Sequence, residues 1–322
     1  MSQAAVIIPN WNGMEYLTGC LEALERQKDQ DFEILMIDNG SQDGSVEYVR
    51  SHHPQVRIHA FQENTGFCRA VNTGIELTDA PYVILLNNDT VPAPDFVGEL
   101  VKAISADKRI FSCQARMVRM DDPDYLDDAG DMYCALGWAY ARGKGCKASE
   151  YDRETEIFAS CGGAAIYRKE ILEKIGTFDE KHFAYLEDID LGYRAQIHGY
   201  RNIYAPGAVV IHKGSAATGS AYNSFKVKLA SRNSVYLIYK NMPALQVVLN
   251  IPFLLAGFLI KTLFFVRKGL GKEYVKGLFV GLRMADPKKK VRFKWKNLHH
   301  YLRIQLILWK SIPGAVKRHT GG

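Results

Sequence analysis

Short apolar runs and helical periodicity alternate along the first hundred residues. "AAVIIP" (Ala4–Pro9) reads as a buried strand, and a helical stretch follows around Tyr16–Gln27. "EILMID" (Glu33–Asp38) is a second strand, followed by a short helix near Val46–Ser51. Val56–Gln62 is a third, with a helix from Phe67 to Leu77, and "YVILLN" (Tyr82–Asn87) is the fourth. Strands alternating with helices predict an α/β sandwich with a largely parallel sheet. Ligands in such sheets bind beyond the carboxyl ends of the strands. The polar residues gather there: Asn10 and Asn12, Asp38–Asp43, and Asn87–Thr90.

Met120–Ser160 is less regular, rich in Asp, Gly and Tyr, and reads as a long insertion over the site. Order returns at Cys161–Tyr167; Lys169–Ile175 and Asp188–His198 read as helices, and Ala208–His212 as a short strand. The character changes beyond Asn241, where "NMPALQVVLNIPFLLAGFLI" (Asn241–Ile260) carries no charge across 20 residues. That is long enough to suggest a membrane span, but Asn250, Pro252 and Gly257 interrupt it and Lys261 splits the apolar material. Leu270, Tyr274, Leu278 and Leu282 then recur at four-residue spacing, and Phe293–Lys310 mixes Trp295, Tyr301 and Trp309 with basic residues. Basic, aromatic, amphipathic helices fit the interfacial plane of an anionic membrane. The alternative is a helical subdomain packed on the core.

Charge sharpens this division. The formal net charge of +6 conceals a tail, residues 261–322, with 16 Lys and Arg against only Glu273 and Asp286, or +14. The remaining 260 residues hold 25 basic and 33 acidic side chains, or −8. An acidic body with a basic tail suggests catalysis in one part and docking in the other. "PKKKVRFKWK" sits beside long apolar stretches, so nucleic acid is not the expected partner. The six cysteines show no CxxC pair or metal-ligand spacing, which fits a reduced, cytosolic chain without structural disulfides. The apolar run Ala4–Pro9 is too short for a secretory signal.

Several stretches carry candidate chemistry. Asp38 leads into "NGSQDGS", a loop able to read a base edge and ribose hydroxyls, although Asp38 can equally be a turn former. Gly66, in "ENTGFCRAVNTGI", stands at a helix start where backbone approaches a ligand closely. In "NND" (Asn87–Asp89), a carboxylate just outside a buried strand can hold a divalent cation, or simply end the strand in an Asx turn. "FAYLEDIDLGYRAQIHGY" sets Glu187, Asp188 and Asp190 at a helix start; dipole capping explains one acid, and three exceed that need. A carboxylate there can accept a proton from a hydroxyl. His212 ends "AVVIHKG" and can be structural or complete a metal shell.

Taken in order, "VIIPNWNG", "EILMIDNGSQDGS", "NTGFCRAVNTGI", "LLNNDT", "CGGAAIYRKEILEKIGTFDE", "EDIDLGYRAQIHGY" and "VVIHKGS" closely resemble family 2 glycosyltransferases. The resemblance covers roughly residues 3–240 and, within the family, is greatest to bacterial rhamnosyltransferases of cell-wall and surface polysaccharide assembly. It implies a GT-A (Rossmann-like) α/β fold, with a mixed, mainly parallel sheet flanked by helices. Residues 1–240 would form the catalytic domain and 241–322 a basic, membrane-associating helical region.

The resemblance implies that Pro9, Asn10 and Asn12 line a nucleotide pocket, with Asp38 on the base and Asn64 and Gly66 nearby. Asn88 and Asp89 occupy the family's metal motif, often written DxD; Asn87 replaces its first Asp and leaves Asp89 the sole carboxylate ligand there. His212 matches a further metal ligand, Asp188 the catalytic base and Glu187 its support, with Trp11 and Cys161–Gly163 near donor sugar or acceptor. The implied reaction is a single inverting displacement assisted by Mg²⁺ or Mn²⁺. The implied donor is dTDP-L-rhamnose, with UDP-hexose and UDP-galactofuranose as alternatives. The implied acceptor is a lipid-linked glycan at the cytoplasmic face of the membrane, and an oligomer is compatible with the sequence. A nucleotide-sugar pyrophosphorylase would show a Gly-rich basic phosphate loop near the N-terminus, which "VIIPNWNG" lacks. A non-catalytic assembly scaffold would not need Asp89, Asp188 and His212.

Overall fold

Strand β1 (Ala4–Asn10) is apolar on both faces: Ala4, Val6 and Ile8 pack into one core layer, Ala5 and Ile7 into the other. A strand covered on both sides reads as a continuous apolar run, which is why it is legible in sequence. The same holds for β2 (Phe32–Asp38) and β4 (Tyr82–Leu86), which flank it in parallel register. The computed structural model describes residues 2–214 and 222–320.

The remaining strands are β3 (Arg57–Ala60), β5 (Thr90–Pro92), β6 (Ile110–Arg119), β7 (Leu126–Asp128), β8 (Asp131–Tyr133), β9 (Ala139–Ala141), β10 (Thr155–Ile157), β11 (Ala164–Arg168) and β12 (Arg201–His212). The main sheet runs β10-β12-β6-β11-β4-β1-β2-β3, with β5 and β7 appended to β12 and β6. The pairs β1–β2, β1–β4, β2–β3 and β6–β12 are parallel, whereas β11 runs antiparallel between β4 and β6. The sheet is therefore the mixed, mainly parallel one expected. Helices α1 (Met14–Glu25), α2 (Ser45–His52), α3 (Phe67–Glu76), α4 (Phe96–Ser105), α5 (Lys169–Ile175) and α6 (Glu187–Ile197) flank it.

Several elements depart from the sequence reading. Strand β6 carries buried Ser112 and Gln114, which satisfy one another's surroundings: Ser112 Oγ bonds Ser160 Oγ at 2.8 Å and Asn202 at 2.9 Å, and Gln114 Oε1 accepts from Cys161 N at 2.6 Å. The strand expected at Ala208–His212 begins at Arg201, because an irregularity between Ala205 and Val209, at Pro206–Gly207, hides its continuity. The expected third strand is shorter, Arg57–Ala60. Residues 120–160 hold the β8–β9 hairpin, β7 and β10.

The C-terminal elements are α7 (Ser224–Asn241), α8 (Ala244–Arg267), α9 (Gly271–Arg283), α10 (Leu298–Lys310) and α11 (Ile312–Thr320). They are not detached: Leu237, Leu254, Ile304 and Leu308 share one apolar cluster with Tyr133, Phe158, Ile189 and Tyr193. Helix α8 turns a narrow stripe inward at Gln246, Asn250, Leu254, Gly257 and Phe265. Asn250 and Gln305 exchange reciprocal side-chain amide bonds of 2.9 Å that fix α8 to α10. The rest of α8 bares Leu249, Leu255, Leu259, Ile260 and Leu263, so one helix both packs on the core and presents an apolar face. It is long and apolar enough to cross a membrane by length and composition. Glycines let α9 approach α7 closely, since a Cβ on Gly281 would stand 2.4 Å from the Arg232 carbonyl oxygen. Replacing Gly281 with Leu forces these helices apart and is expected to cost about 1–3 kcal/mol, read as a lower urea midpoint; an unchanged midpoint would disprove this packing.

Candidate active site

A cleft of about 960 Å³ opens at the carboxyl ends of β1, β2 and β4 and runs beneath the β8–β9 hairpin. Pro9, Asn10, Trp11, Asn64, Asn88 and Asp89 line it, as do Glu187, Asp188 and His212. Asn10 is the hub at the end of β1: its Nδ2 donates to Asp38 Oδ1 and Ser45 Oγ at 2.9 Å, and its Oδ1 accepts from Asn88 Nδ2 at 2.7 Å.

Asp38 and Gly66 are buried behind the residues that line the cleft, and Asn12 is exposed on the turn after β1. Asp38 is 1% exposed, with Oδ1 occupied by Asn10 and Oδ2 by the Ser41 amide at 2.9 Å. It positions Asn10 and the Asn39–Asp43 loop, and each oxygen, holding one hydrogen bond here, retains a further acceptor site. Asn12 also ties down this loop: its amide donates to Ser41 Oγ and its side-chain oxygen accepts from Gln42 N, both at 2.9 Å. Gly66 has φ +90, and a Cβ there would lie 2.5 Å from the Phe183 ring. Asn39, which lines the cleft, accepts from Thr65 N at 2.8 Å and donates to Asn64 Oδ1 at 3.1 Å.

His212 and Asp89 meet at the cleft wall. His212 Nε2 lies 3.3 Å from Asp89 Oδ1, while Nδ1 lies 2.7 Å from Asp127 Oδ2. Burial opposes a charge on this ring, but the bonds to Asp127 and Asp89 overcome it and raise its pKa to about 9. A carboxylate on one ring nitrogen, with the other nitrogen turned to a second carboxylate, is an arrangement that can ligate a metal once the ring gives up its proton. Asp127, itself bonded to Lys144 at 2.6 Å, has no distinctive signal in "DYLDDAGDM". A second group, Asp128, Asp131 and Cys161, brings its ligand atoms within 4.8 Å of one another. Burial pushes the Cys161 thiol far up and raises both carboxyl groups, so a cation here would displace their protons, as one at Asp89 would displace the proton of His212.

The three acids at the start of α6 divide by environment. Asp190 is fully buried; its Oδ2 accepts from Arg194 and from Lys240 Nζ at 2.9 Å, and its Oδ1 from Asn241 at 2.8 Å. Lys240 also reaches Asp179 at 2.7 Å. Burial opposes the charge on Asp190, yet Arg194 and Lys240 outweigh it and hold its pKa far below the usual range. Glu187 and Asp188 face the cleft. Burial, reinforced by the neighbouring charges of Glu187 and Asp131, lifts Asp188 well above the ordinary carboxylate pKa; burial lifts Glu187 to about 7. Asp188 Oδ1 accepts from Gly162 N at 3.1 Å.

The approach to this pair is strained: Phe183, Tyr185 and Leu186 all adopt positive φ, between 65° and 70°. Such backbone persists only where its surroundings hold it. Asn233 of α7 does so, donating to the carbonyls of His182, Ala184 and Tyr185 at 3.0, 2.9 and 2.7 Å. The fixed point for the acidic pair thus lies in "SRNS", a stretch with no catalytic signature in sequence.

Against known families, residues 5–176 match the model described as "Glycosyl transferase family 2". The chain belongs to this family. The family 2 chain is 27% identical over 237 residues to the N-acetylglucosaminyl-diphospho-decaprenol L-rhamnosyltransferase of Mycobacterium tuberculosis, covering 66% of this chain and 77% of that one. It is 32% identical over 93 residues to the teichoic acid poly(glycerol phosphate) polymerase of Staphylococcus epidermidis, covering 28% and 13% of the two chains. The mannosyltransferase of Pyrobaculum calidifontis, solved with GDP-Man and Mn²⁺, superposes with a TM-score of 0.54 at 19% identity over 99% of this chain and 87% of that one. These likenesses make the fold GT-A.

Two stability measurements test the electrostatics. Lys240→Met removes the cation that Asp179 and Asp190 share, leaving Asp190 only Arg194 and Asn241, and is expected to cost about 3–5 kcal/mol at pH 7 by urea denaturation. Asp190 is depressed on folding, so its contribution is present above the unfolded pKa and lost as pH falls; the deficit should narrow below about pH 4. A deficit that is absent, or constant down to pH 3, contradicts the network. Asp188 is raised on folding, so its ionisation weighs against the fold as pH rises. Asp188→Asn should therefore raise the melting temperature more at pH 8 than at pH 5; the reverse order would refute the assignment.

Proposed function

We propose that this family 2 glycosyltransferase transfers a sugar with inversion, L-rhamnose from dTDP-L-rhamnose, onto a hydroxyl of a lipid-linked glycan in cell-wall polysaccharide synthesis. The observation that carries the reading is a single cleft holding both the His212–Asp89 pair and the Glu187–Asp188 pair. The rhamnosyl donor and lipid-linked acceptor rest on the likeness to the mycobacterial relative, whose name states both the rhamnosyl group and the diphospho-decaprenol carrier.

In this mechanism Asn10, Asn39 and Asn64 hold the nucleotide, and Asp89 with His212 would ligate Mg²⁺ or Mn²⁺ beside its diphosphate. Such a cation, when bound, offsets the charge that develops on the leaving diphosphate. Asp188 accepts the proton of the acceptor hydroxyl as that oxygen attacks the anomeric carbon from the face opposite the nucleotide. Its raised pKa makes it a stronger base, provided it is ionised, so transfer should fall as pH drops through that raised pKa. Glu187 stays within the same titrating group and tunes it.

Residues 1–240 would carry the transfer, and residues 241–322 would seat the enzyme on the inner face of the cell membrane. Exposed Trp295, Phe279, Leu282 and Leu302 beside the +14 tail support an interfacial position on anionic lipid.

A donor screen by nucleotide release, with dTDP-, UDP- and GDP-sugars plus Mg²⁺ or Mn²⁺, tests the function. The expected result is release with dTDP-L-rhamnose and acceptor, abolished by EDTA; preference for UDP-hexose or UDP-galactofuranose would overturn the donor. Asp188→Asn should lower kcat by about 10²-fold or more with nucleotide binding intact, and unchanged turnover would sink the base. Full-length protein should co-sediment with phosphatidylglycerol vesicles and be released by salt; indifference to these vesicles contradicts the docking.

A further inference from the structure

Helix α8 carries one charge within its apolar length, Lys261, and that charge faces inward. Lys261 continues the protein-facing stripe of Leu254 and Gly257 and lines the same cleft as Asp188. The helix is pressed onto the β8–β9 hairpin just before it: a Cβ on Gly257 would stand 2.1 Å from the Leu136 carbonyl oxygen, and Trp138 Nε1 donates to Gly257 O at 3.1 Å. The Lys261 ammonium then lies 5.5 Å from the centre of the Trp138 ring.

Among the described residues, no carboxylate acts on Lys261; the Cys134 thiol is the one titratable group that does. A cation withdrawn from water without an anion is unfavourable. A ring face offsets only about 0.5–2 kcal/mol of that cost. Burial accordingly lowers the lysine pKa to about 8, leaving it largely charged at neutral pH. The position asks for an anion supplied from outside the chain.

The geometry says which end of the substrate would supply it. Hairpin β8–β9 joins the two places: Asp131 of β8, paired with Ala141, lies by the acidic pair, and Trp138 lies beside Lys261. Three residues of extended chain separate Ala141 from Trp138, roughly 10 Å. The nucleotide end of the cleft is built by different elements, β1 and the loops after β2 and β3. The outer face of α8 is bare and apolar, so Lys261 stands between the candidate base and the surface from which a lipid tail would enter.

We propose that Lys261 is a binding residue for the diphosphate of a prenyl-diphosphate-linked acceptor, holding the carrier's anionic group while the glycan reaches Asp188. The proposal rests on the lipid-linked acceptor reading above but is tested by binding alone, so the two can fail separately. The ligand probes are farnesyl diphosphate and farnesol, each titrated into the full-length chain in neutral detergent. Wild type should prefer farnesyl diphosphate by roughly ten- to hundredfold, the range of a hydrogen bond to a charged group. Lys261→Met and Lys261→Gln should both erase that preference, with melting temperatures no lower than wild type, because each removes a half-buried charge that has no carboxylate partner. Binding of dTDP and of phosphatidylglycerol vesicles should be unchanged. A preference that survives both substitutions overturns the proposal. So does a matching loss of dTDP affinity, which would make Lys261 a donor-diphosphate residue, or a matching loss of vesicle binding, which would make it a headgroup contact.

Discussion

The buried carboxylate of Asp190 is the constraint on which the site depends. It is an anion without solvent, tolerable only because Arg194, Lys240 and Asn241 surround it. Arg194 lies on its own helix, but Lys240 and Asn241 come from the end of α7, so ionisation of Asp190 ties the two helices together. Asn233, two turns earlier on α7, clamps the left-handed backbone that leads into Glu187 and Asp188. The candidate base is therefore aimed by a helix outside the residues that match the family model.

The same helix connects chemistry to the surface. Helix α9 packs on α7 through Gly277 and Gly281, and α8 and α10 share the apolar cluster beneath them. A membrane held against the apolar faces of α8 and α10 would thus bear on elements continuous with the clamp on the acidic pair. The C-terminal helices form one wall of the reaction cleft as well as its candidate support on lipid.

What was legible in sequence follows from how each residue is satisfied. Strands β1, β2 and β4 bury both faces in apolar contact, so their runs stand out, and the polar residues at their ends marked the cleft. Strand β6 and helix α7 escaped because their interiors hold Ser112, Gln114, Ser231 and Asn233, polar groups whose partners are distant in the chain. Asp190 could be seen as surplus to helix capping, but its partner Lys240 lies 50 residues on. Asp127 illustrates the limit: among neighbouring acids, only the fold shows which one meets His212. Asp38 adds a role that its strand-end position did not reveal, since it also fixes Asn10 and the Ser41 amide.

The central claim is that the reaction centre lies between His212–Asp89 and Asp188, with the cation held by Asp89 and His212 rather than by Asp128, Asp131 and Cys161. The position of Mn²⁺ by anomalous scattering, in crystals grown with a nucleoside diphosphate, tests this most directly. The account predicts one peak bonded to an Asp89 oxygen and His212 Nε2. A peak on Asp128, Asp131 and Cys161, with His212 still bonded directly to Asp89, would contradict it.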